Sequence, residues 1–182
     1  YRRFKDTLFI RMDKGEEILE QLEKVCTAEQ VKLAQVSAIG AINEFTVGVL
    51  RTAEKQYKAN NFTGDHEIVS LTGTVTTKEG AFYAHLHLAA GDETGAVVGG
   101  HLNRAVVSAT CEMVVRVVDG TVERRFSDEI GLNLCEIVQR EGPTWGHRPQ
   151  TPEIRAGIFR PSGKNNKARA DHFRFARALL YH

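Results

Sequence analysis

Cysteine is scarce in this chain of 182 residues: Cys26, Cys111 and Cys135 are far apart and form no C-x-x-C pair. An odd number of widely spaced cysteines argues against a disulfide framework and a structural zinc knuckle, and it favours a reducing compartment. Long apolar runs are missing too, since none approaches the roughly 18 residues that cross a bilayer. The first residues also lack the apolar segment of a secretory signal. We therefore expect a cytoplasmic protein with no membrane partner.

Charge is divided unevenly along the chain, although the net charge is only +1. Residues 1–142 hold 16 Lys and Arg against 21 Asp and Glu, a net charge of −5, and residues 143–182 hold 8 against 2, a net charge of +6. All four prolines fall in the second part. This pattern predicts a folded acidic domain, residues 1–142, and a basic C-terminal tail, residues 143–182, that is disordered or loosely docked. The alternative for the tail is a short basic helix that contacts nucleic acid.

Alternating apolar and polar residues predict strands over most of the acidic part. The predicted strands are residues 7–12, 31–39, 41–50, 67–75, 82–89, 96–102, 106–118, 121–126 and 132–137. Residues 14–29 have helical spacing instead, with Asp13 as the N-cap and Glu16 at the capping-box position. Turn formers such as Gly64-Asp65 separate the strands. The predicted fold is α+β, with a curved, mostly antiparallel sheet that forms a partial barrel and one amphipathic helix near the N-terminus.

Three of the seven histidines, His85, His87 and His101, lie within seventeen positions. His85 and His87 alternate with leucines along one predicted strand, so both point away from the leucine face. If the turn at residues 91–95 centres on Glu93 or on Thr94, a hairpin places His101 on the same face as the other two. A register shifted by one residue would place it among the leucines. We expect a bulge at Gly99-Gly100 to turn His101 toward the pair.

Three neutral imidazoles that leave a fourth position open are the ligand set of a catalytic-type zinc site. The same pattern also fits a polar strand face at an oligomer contact, where hydrogen bonds satisfy the histidines. Glu67 and Glu112 are the candidate catalytic residues, as acid–base groups or as hydrogen-bond partners of the ligands. The alternative for both is an ordinary charged position on a strand.

Residues 64–75 (GDHEIVSLTGTV), 84–102 (AHLHLAAGDETGAVVGGHL) and 108–115 (SATCEMVV) closely resemble the plants-and-prokaryotes conserved domain, abbreviated PPC. The resemblance runs from about residue 4 to residue 137, and G-x-x-x-G-G-H after H-x-H makes it specific. It implies an α+β domain with a curved antiparallel sheet that assembles as a homotrimer. It also implies that His85, His87 and His101 hold a divalent metal, typically zinc.

The function that the resemblance implies is less direct. Plant members join this domain to an AT-hook, whose Arg-Gly-Arg-Pro core enters A·T-rich minor grooves, where arginine fits a narrow and strongly negative groove. Here only Gly146-His147-Arg148-Pro149 approaches that core, and its arginine pair is incomplete. The predicted function is a metal-binding homotrimeric module with a binding or regulatory role, of the kind described as DNA-binding by family analogy.

The alternative function is that of a zinc-dependent lyase or hydrolase. The domain is similar in architecture to acetolactate decarboxylase, which also uses an H-x-H and a later histidine on zinc. Under this hypothesis the metal polarises a carbonyl or activates a water, and Glu67 or Glu112 transfers protons. The two hypotheses differ in whether the site opens into a pocket with a carboxylate within hydrogen-bond reach.

Overall fold

The computed structural model describes residues 1–137, and the predicted tail and the Gly146-His147-Arg148-Pro149 segment lie outside the described residues. Eight strands and one helix follow one another within this part. They are β1 (Arg2–Phe4), β2 (Thr7–Asp13), α1 (Ile18–Ala28), β3 (Ala34–Arg51), β4 (Gln56–Lys78), β5 (Ala81–Gly91), β6 (Val97–Val117), β7 (Arg124–Ser127) and β8 (Leu132–Cys135). With 11 residues, α1 is too short to span a bilayer, and residues 1–137 hold no longer helix that could.

Six of the strands form one antiparallel sheet, in the order β1-β2-β6-β3-β4-β5, which closes partly on itself. The closure arises because β5 pairs back with the first residues of β6, from Val97 to His101. From His101 onward β6 pairs with β3. Strands β7 and β8 form a separate antiparallel hairpin, joined to β4 by one parallel bridge between Thr77 and Glu123. The predicted α+β class with one helix and a curved, mostly antiparallel sheet is confirmed.

Helix α1 begins four residues later than predicted. Asp13 ends β2, and its backbone N–H donates to the Glu16 carboxylate at 2.7 Å, so the expected capping box closes a turn instead. The N-cap is Glu17, whose carboxylate accepts a hydrogen bond from the Glu20 N–H at 2.7 Å. The buried side of the helix presents Ile18, Leu22, Val25 and Cys26 to the core.

Two pairs of predicted strands are continuous in the structure. The runs predicted on either side of Gly40 belong to β3, and those on either side of residue 103 belong to β6. Gly64-Asp65, predicted as a turn, lies inside β4, where these two residues oppose the single residue Asn43 and Gly64 has φ +96°. Bulges, rather than turns, therefore interrupt the alternation at these points.

The core lies on one face of the sheet, where α1 covers it. Its largest fully buried side chains include Phe45, Leu8, Met12, Leu22, Leu86, Leu88 and Met113. Burying one such side chain stabilises the fold by about 1.5–3 kcal/mol. Along β5 the leucines are buried in this core, and His85 and His87 lie on the opposite face, as the alternation predicts.

Candidate metal centre

The three histidines meet where the sheet closes. His87 on β5 pairs directly with His101 on β6, and His101 also lies opposite Gly48 on β3. The ring centroid of His85 lies 5.2 Å from that of His87 and 5.1 Å from that of His101. The centroids of His87 and His101 are 5.8 Å apart. One ring nitrogen from each histidine lies within 4.8 Å of the other two. The structure therefore brings the three predicted ligands together.

The turn between β5 and β6 sets this register. The Asp92 carboxylate accepts hydrogen bonds from the Thr94 hydroxyl at 2.6 Å, the Thr94 N–H at 2.8 Å and the Ala96 N–H at 3.0 Å. These bonds hold the pKa of Asp92 below its usual value, and the bond from the Thr94 hydroxyl contributes most. They fold the turn around Thr94, which is one of the two predicted registers that place the histidines on one face.

The bulge predicted at Gly99-Gly100 is absent, because the β5–β6 pairing runs unbroken from Val97 to His101. The two glycines serve a close approach instead. A Cβ on Gly99 would lie 2.5 Å from the Leu88 carbonyl oxygen, and a Cβ on Gly100 would lie 2.7 Å from the Gly48 carbonyl oxygen. A side chain at either position would push β6 away from β5 or β3. The nearby irregularity is at Asn103, an extra residue of β6 opposite β3.

The electrostatics of the site keep two of the imidazoles neutral. Burial lowers the pKa of His85 to about 4, and the charges of Arg124 and His87 act in the same direction. Burial also lowers the pKa of His101 to about 4, helped by His85, His87 and Arg124. A neutral imidazole has a free lone pair, which metal binding requires. Both side chains are therefore ready to act as ligands at pH 7.

Arg124, at the start of β7, borders the histidines and is a residue that the sequence analysis missed. It is only 8% exposed, and its Nη2 lies 3.3 Å from Nδ1 of His85. Its Nε donates to the Thr76 hydroxyl at 2.8 Å, and its Nη1 donates to the backbone carbonyl of Asn133 at 2.9 Å. The guanidinium lies 4.9 Å from the centre of the Tyr83 ring, a cation–π contact. Because Arg124 lies 39 residues from His85 along the chain, no local sequence pattern indicates their contact.

Further buried polar groups surround the site. Tyr57 packs edge-on against His101, with ring centroids 6.2 Å apart, and donates to the Asn103 side-chain oxygen at 2.6 Å. Burial raises the pKa of Tyr57. Asn133 donates to the Tyr83 hydroxyl at 3.4 Å. Among residues 1–137, the Asn103 Nδ2 and the Asn133 Oδ1 are buried without a hydrogen-bond partner.

The structure does not bring Glu67 or Glu112 to the histidines. Glu67 pairs with Gly91 and lies five positions along β4 from the residue opposite His87, about 16 Å away. Glu112 is eleven positions along β6 from His101, roughly 30 Å or more. Both side chains are exposed. In the part of the chain that the structure describes, the cluster of close ligand atoms consists of the three histidines alone.

The donor set fits a divalent first-row metal. Three imidazole nitrogens are the protein ligands of one common class of catalytic zinc site, with bonds of about 2.0–2.1 Å. Imidazole also suits copper, iron and nickel, so these three ligands do not by themselves select one metal. Within residues 1–137 they supply three ligands, which leaves a fourth coordination position for another group.

Comparison with known proteins gives a consistent result. The model of the Plants and Prokaryotes Conserved (PCC) domain matches residues 1–119. A crystal structure of a metal-containing protein from Archaeoglobus fulgidus is 30% identical, with a TM-score of 0.67 over 72% of this chain and 93% of that chain. A plant- and prokaryote-conserved (PPC) protein from Pyrococcus horikoshii is also 30% identical, with a TM-score of 0.67 over 74% and 93%. A "putative DNA-binding protein" from Bacteroides thetaiotaomicron is 26% identical, with a TM-score of 0.73 over 75% and 95%.

Other comparisons add little. No curated protein sequence matches the chain. Acetolactate decarboxylase from Bacillus subtilis is 17% identical, with a TM-score of 0.47 over 64% of this chain and 55% of that chain, and a likeness of this size says nothing about activity.

The family match over most of the described residues, together with the shared fold, decides the family of this chain. The chain belongs to the Plants and Prokaryotes Conserved (PCC) domain family.

Proposed function

We propose that this protein is a metal-binding module of the PCC family, with one divalent metal, zinc, held by His85, His87 and His101 in each subunit. The observation that supports this most directly is the meeting of three imidazole nitrogens within 4.8 Å at the closure of the sheet. The metal-containing relative from Archaeoglobus fulgidus supports it independently. When bound, such a metal supplies a Lewis acid with a free coordination position.

We assign the module a binding or regulatory role in the cytoplasm. The lyase or hydrolase alternative requires an acid–base group beside the metal. Glu67 and Glu112, its two candidates, lie well away from the histidines. The three free cysteines of the described residues suit a reducing compartment.

Elemental analysis of the purified full chain tests the metal site. We expect one metal per subunit in the wild-type protein, and loss of most of it in His85→Ala and in His101→Ala. His66→Ala is the matched control, because His66 packs edge-on against Phe45 at 4.9 Å, away from the site. Metal retained near full occupancy in both site variants would overturn the ligand assignment.

We also propose that the module assembles as a homotrimer, as the PPC resemblance implies. Several apolar side chains of the sheet are more than half exposed, namely Ile39, Val49, Val69 and Val97. Val69 and Val97 both lie beside Gly91, and assembly over such a patch would remove it from water. Light scattering should give the mass of three 20.3 kDa chains, and a monomer mass would contradict the trimer.

By family analogy we also propose that the basic residues 143–182 contact nucleic acid. The relative from Bacteroides thetaiotaomicron carries a DNA-binding description, but residues 1–142 of this chain have a net charge of −5. We expect the full chain to bind an A·T-rich duplex at low salt, with affinity that falls as salt rises, and a chain truncated at Gly142 to lose it. Equal affinity in the two chains would show that the tail is not needed for DNA binding. No affinity in either chain would contradict DNA binding altogether.

A further inference from the structure

We propose that the metal centre takes a small carboxylate ligand, whose negative charge is recognised by the Arg124 guanidinium. This inference rests on the proposed metal site and names the class of molecule that the site binds. Arg124 follows the residues matched by the family model, which end at residue 119. Three features of this arginine support the inference: its burial, its partners and its contact with His85.

Within residues 1–137, Arg124 is a buried cation that has no anionic partner. Its three hydrogen-bond partners are neutral: the Thr76 hydroxyl, the Asn133 carbonyl and the His85 ring. None of the four ion pairs formed by residues 1–137 includes it. The neighbouring Arg125 is exposed and pairs with Glu136 at 2.8 Å. Because a buried charge is costly unless it is paired, Arg124 is the residue whose surroundings demand a negative partner.

Metal loading increases this demand, whichever nitrogen of His85 binds the metal. If Nδ1 is the ligand, its lone pair is no longer available to Arg124. If Nε2 is the ligand, the neutral ring carries its proton on Nδ1, which then donates and repels the guanidinium N–H. In both cases Arg124 loses the acceptor that now lies 3.3 Å from its Nη2. Its remaining bonds, to Thr76 and Asn133, leave three of its five N–H groups free.

A carboxylate matches what is left. The planar guanidinium binds a carboxylate through parallel N–H···O bonds, and a carboxylate oxygen is also a normal ligand of a divalent metal. His87 is exposed whereas Arg124 is buried, so the charged end of the ligand would lie inward and the rest toward solvent.

The test uses the full chain loaded with cobalt(II), whose visible absorption changes when an anion joins the metal. We expect acetate to change the spectrum at millimolar concentration, and its neutral analogue acetamide to have no effect. Arg124→Gln should weaken acetate binding about tenfold or more while metal content stays at one per subunit. Arg125→Gln is the matched control and should bind acetate within about twofold of wild type. Arg124→Lys keeps the positive charge but lacks the two parallel N–H donors of the guanidinium, and we expect its loss of acetate affinity to be intermediate.

The outcomes separate the two proposals. Failure of the wild-type protein to bind cobalt would overturn the metal site itself. Cobalt binding with an equal response to acetate and acetamide, or an Arg124→Gln variant that binds acetate like wild type, would overturn the carboxylate inference alone. Inorganic phosphate binding at least tenfold tighter than acetate would replace the carboxylate with a phosphate ligand. If neither Arg124 variant folds, the wild-type comparison of acetate with acetamide decides.

Discussion

Leu86 and Leu88 on one face of β5 are buried among apolar side chains, whereas His85 and His87 on the other face lie among polar groups. The buried polar residues of the described chain contact this histidine face or the β7–β8 hairpin beside it: Thr76, Thr77, Asn103, Arg124 and Asn133. Burying polar groups costs free energy that an apolar face avoids. One face of the strand therefore stabilises the fold, and the other is the face to which we assign metal binding.

The largest expected effect separates these two faces. In metal-free protein, Leu88→Ala should lower the free energy of unfolding by about 2–5 kcal/mol, because it leaves a cavity in a packed core. His87→Ala, at an exposed position, should change it by no more than about 0.5 kcal/mol. Urea denaturation in the presence of a chelator measures both. Equal losses in the two variants would break the distinction between the faces.

The close approach of β6 to β3 at Gly100 gives the next largest effect on stability. Gly100→Ala would force a Cβ to within 2.7 Å of the Gly48 carbonyl oxygen, and we expect a loss of about 1–3 kcal/mol in the free energy of unfolding together with weaker metal binding. Gly91→Ala is the control, since the nearest atom there is a methyl of the exposed Val69 at 3.3 Å, which can move. A Gly100→Ala variant that keeps its stability and its metal would show that the close approach of β6 to β3 is not needed.

The sequence allowed the histidine face to be predicted because its signals are local. The alternation of β5 and the turn at Asp92 involve residues close together in the chain, and the structure confirms their geometry. The start of α1 was predicted wrongly because Asp13 and Glu16 form the same hydrogen bond in a turn as in a capping box. Arg124 could not be predicted, since its contact with His85 depends on how the β7–β8 hairpin packs against β4.

The smallest expected effect concerns that hairpin. The Glu123 carboxylate accepts a hydrogen bond from the buried Thr77 hydroxyl at 2.6 Å, and this bond lowers the pKa of Glu123. A lowered carboxyl pKa contributes stability above the unfolded value, and the contribution is lost as pH falls through the folded pKa. Between about pH 5 and pH 3, the free energy of unfolding should therefore fall slightly more steeply in wild type than in Glu123→Gln.

A second substitution controls for the loss of one negative charge. Glu79 is exposed in the turn between β4 and β5, and Glu79→Gln removes one negative charge near the hairpin while leaving the Glu123 carboxylate in place. Identical slopes in wild type and Glu123→Gln would mean that the carboxylate does not help to hold β7, and with it Arg124, against β4.

X-ray absorption of the zinc-loaded full chain tests the three-histidine metal site, because it reports which atoms are bound to the metal. We expect about three imidazole nitrogens at roughly 2.0–2.1 Å and no sulfur. A sulfur ligand at about 2.3 Å, or a shell of oxygen atoms without the signature of imidazole, would contradict it.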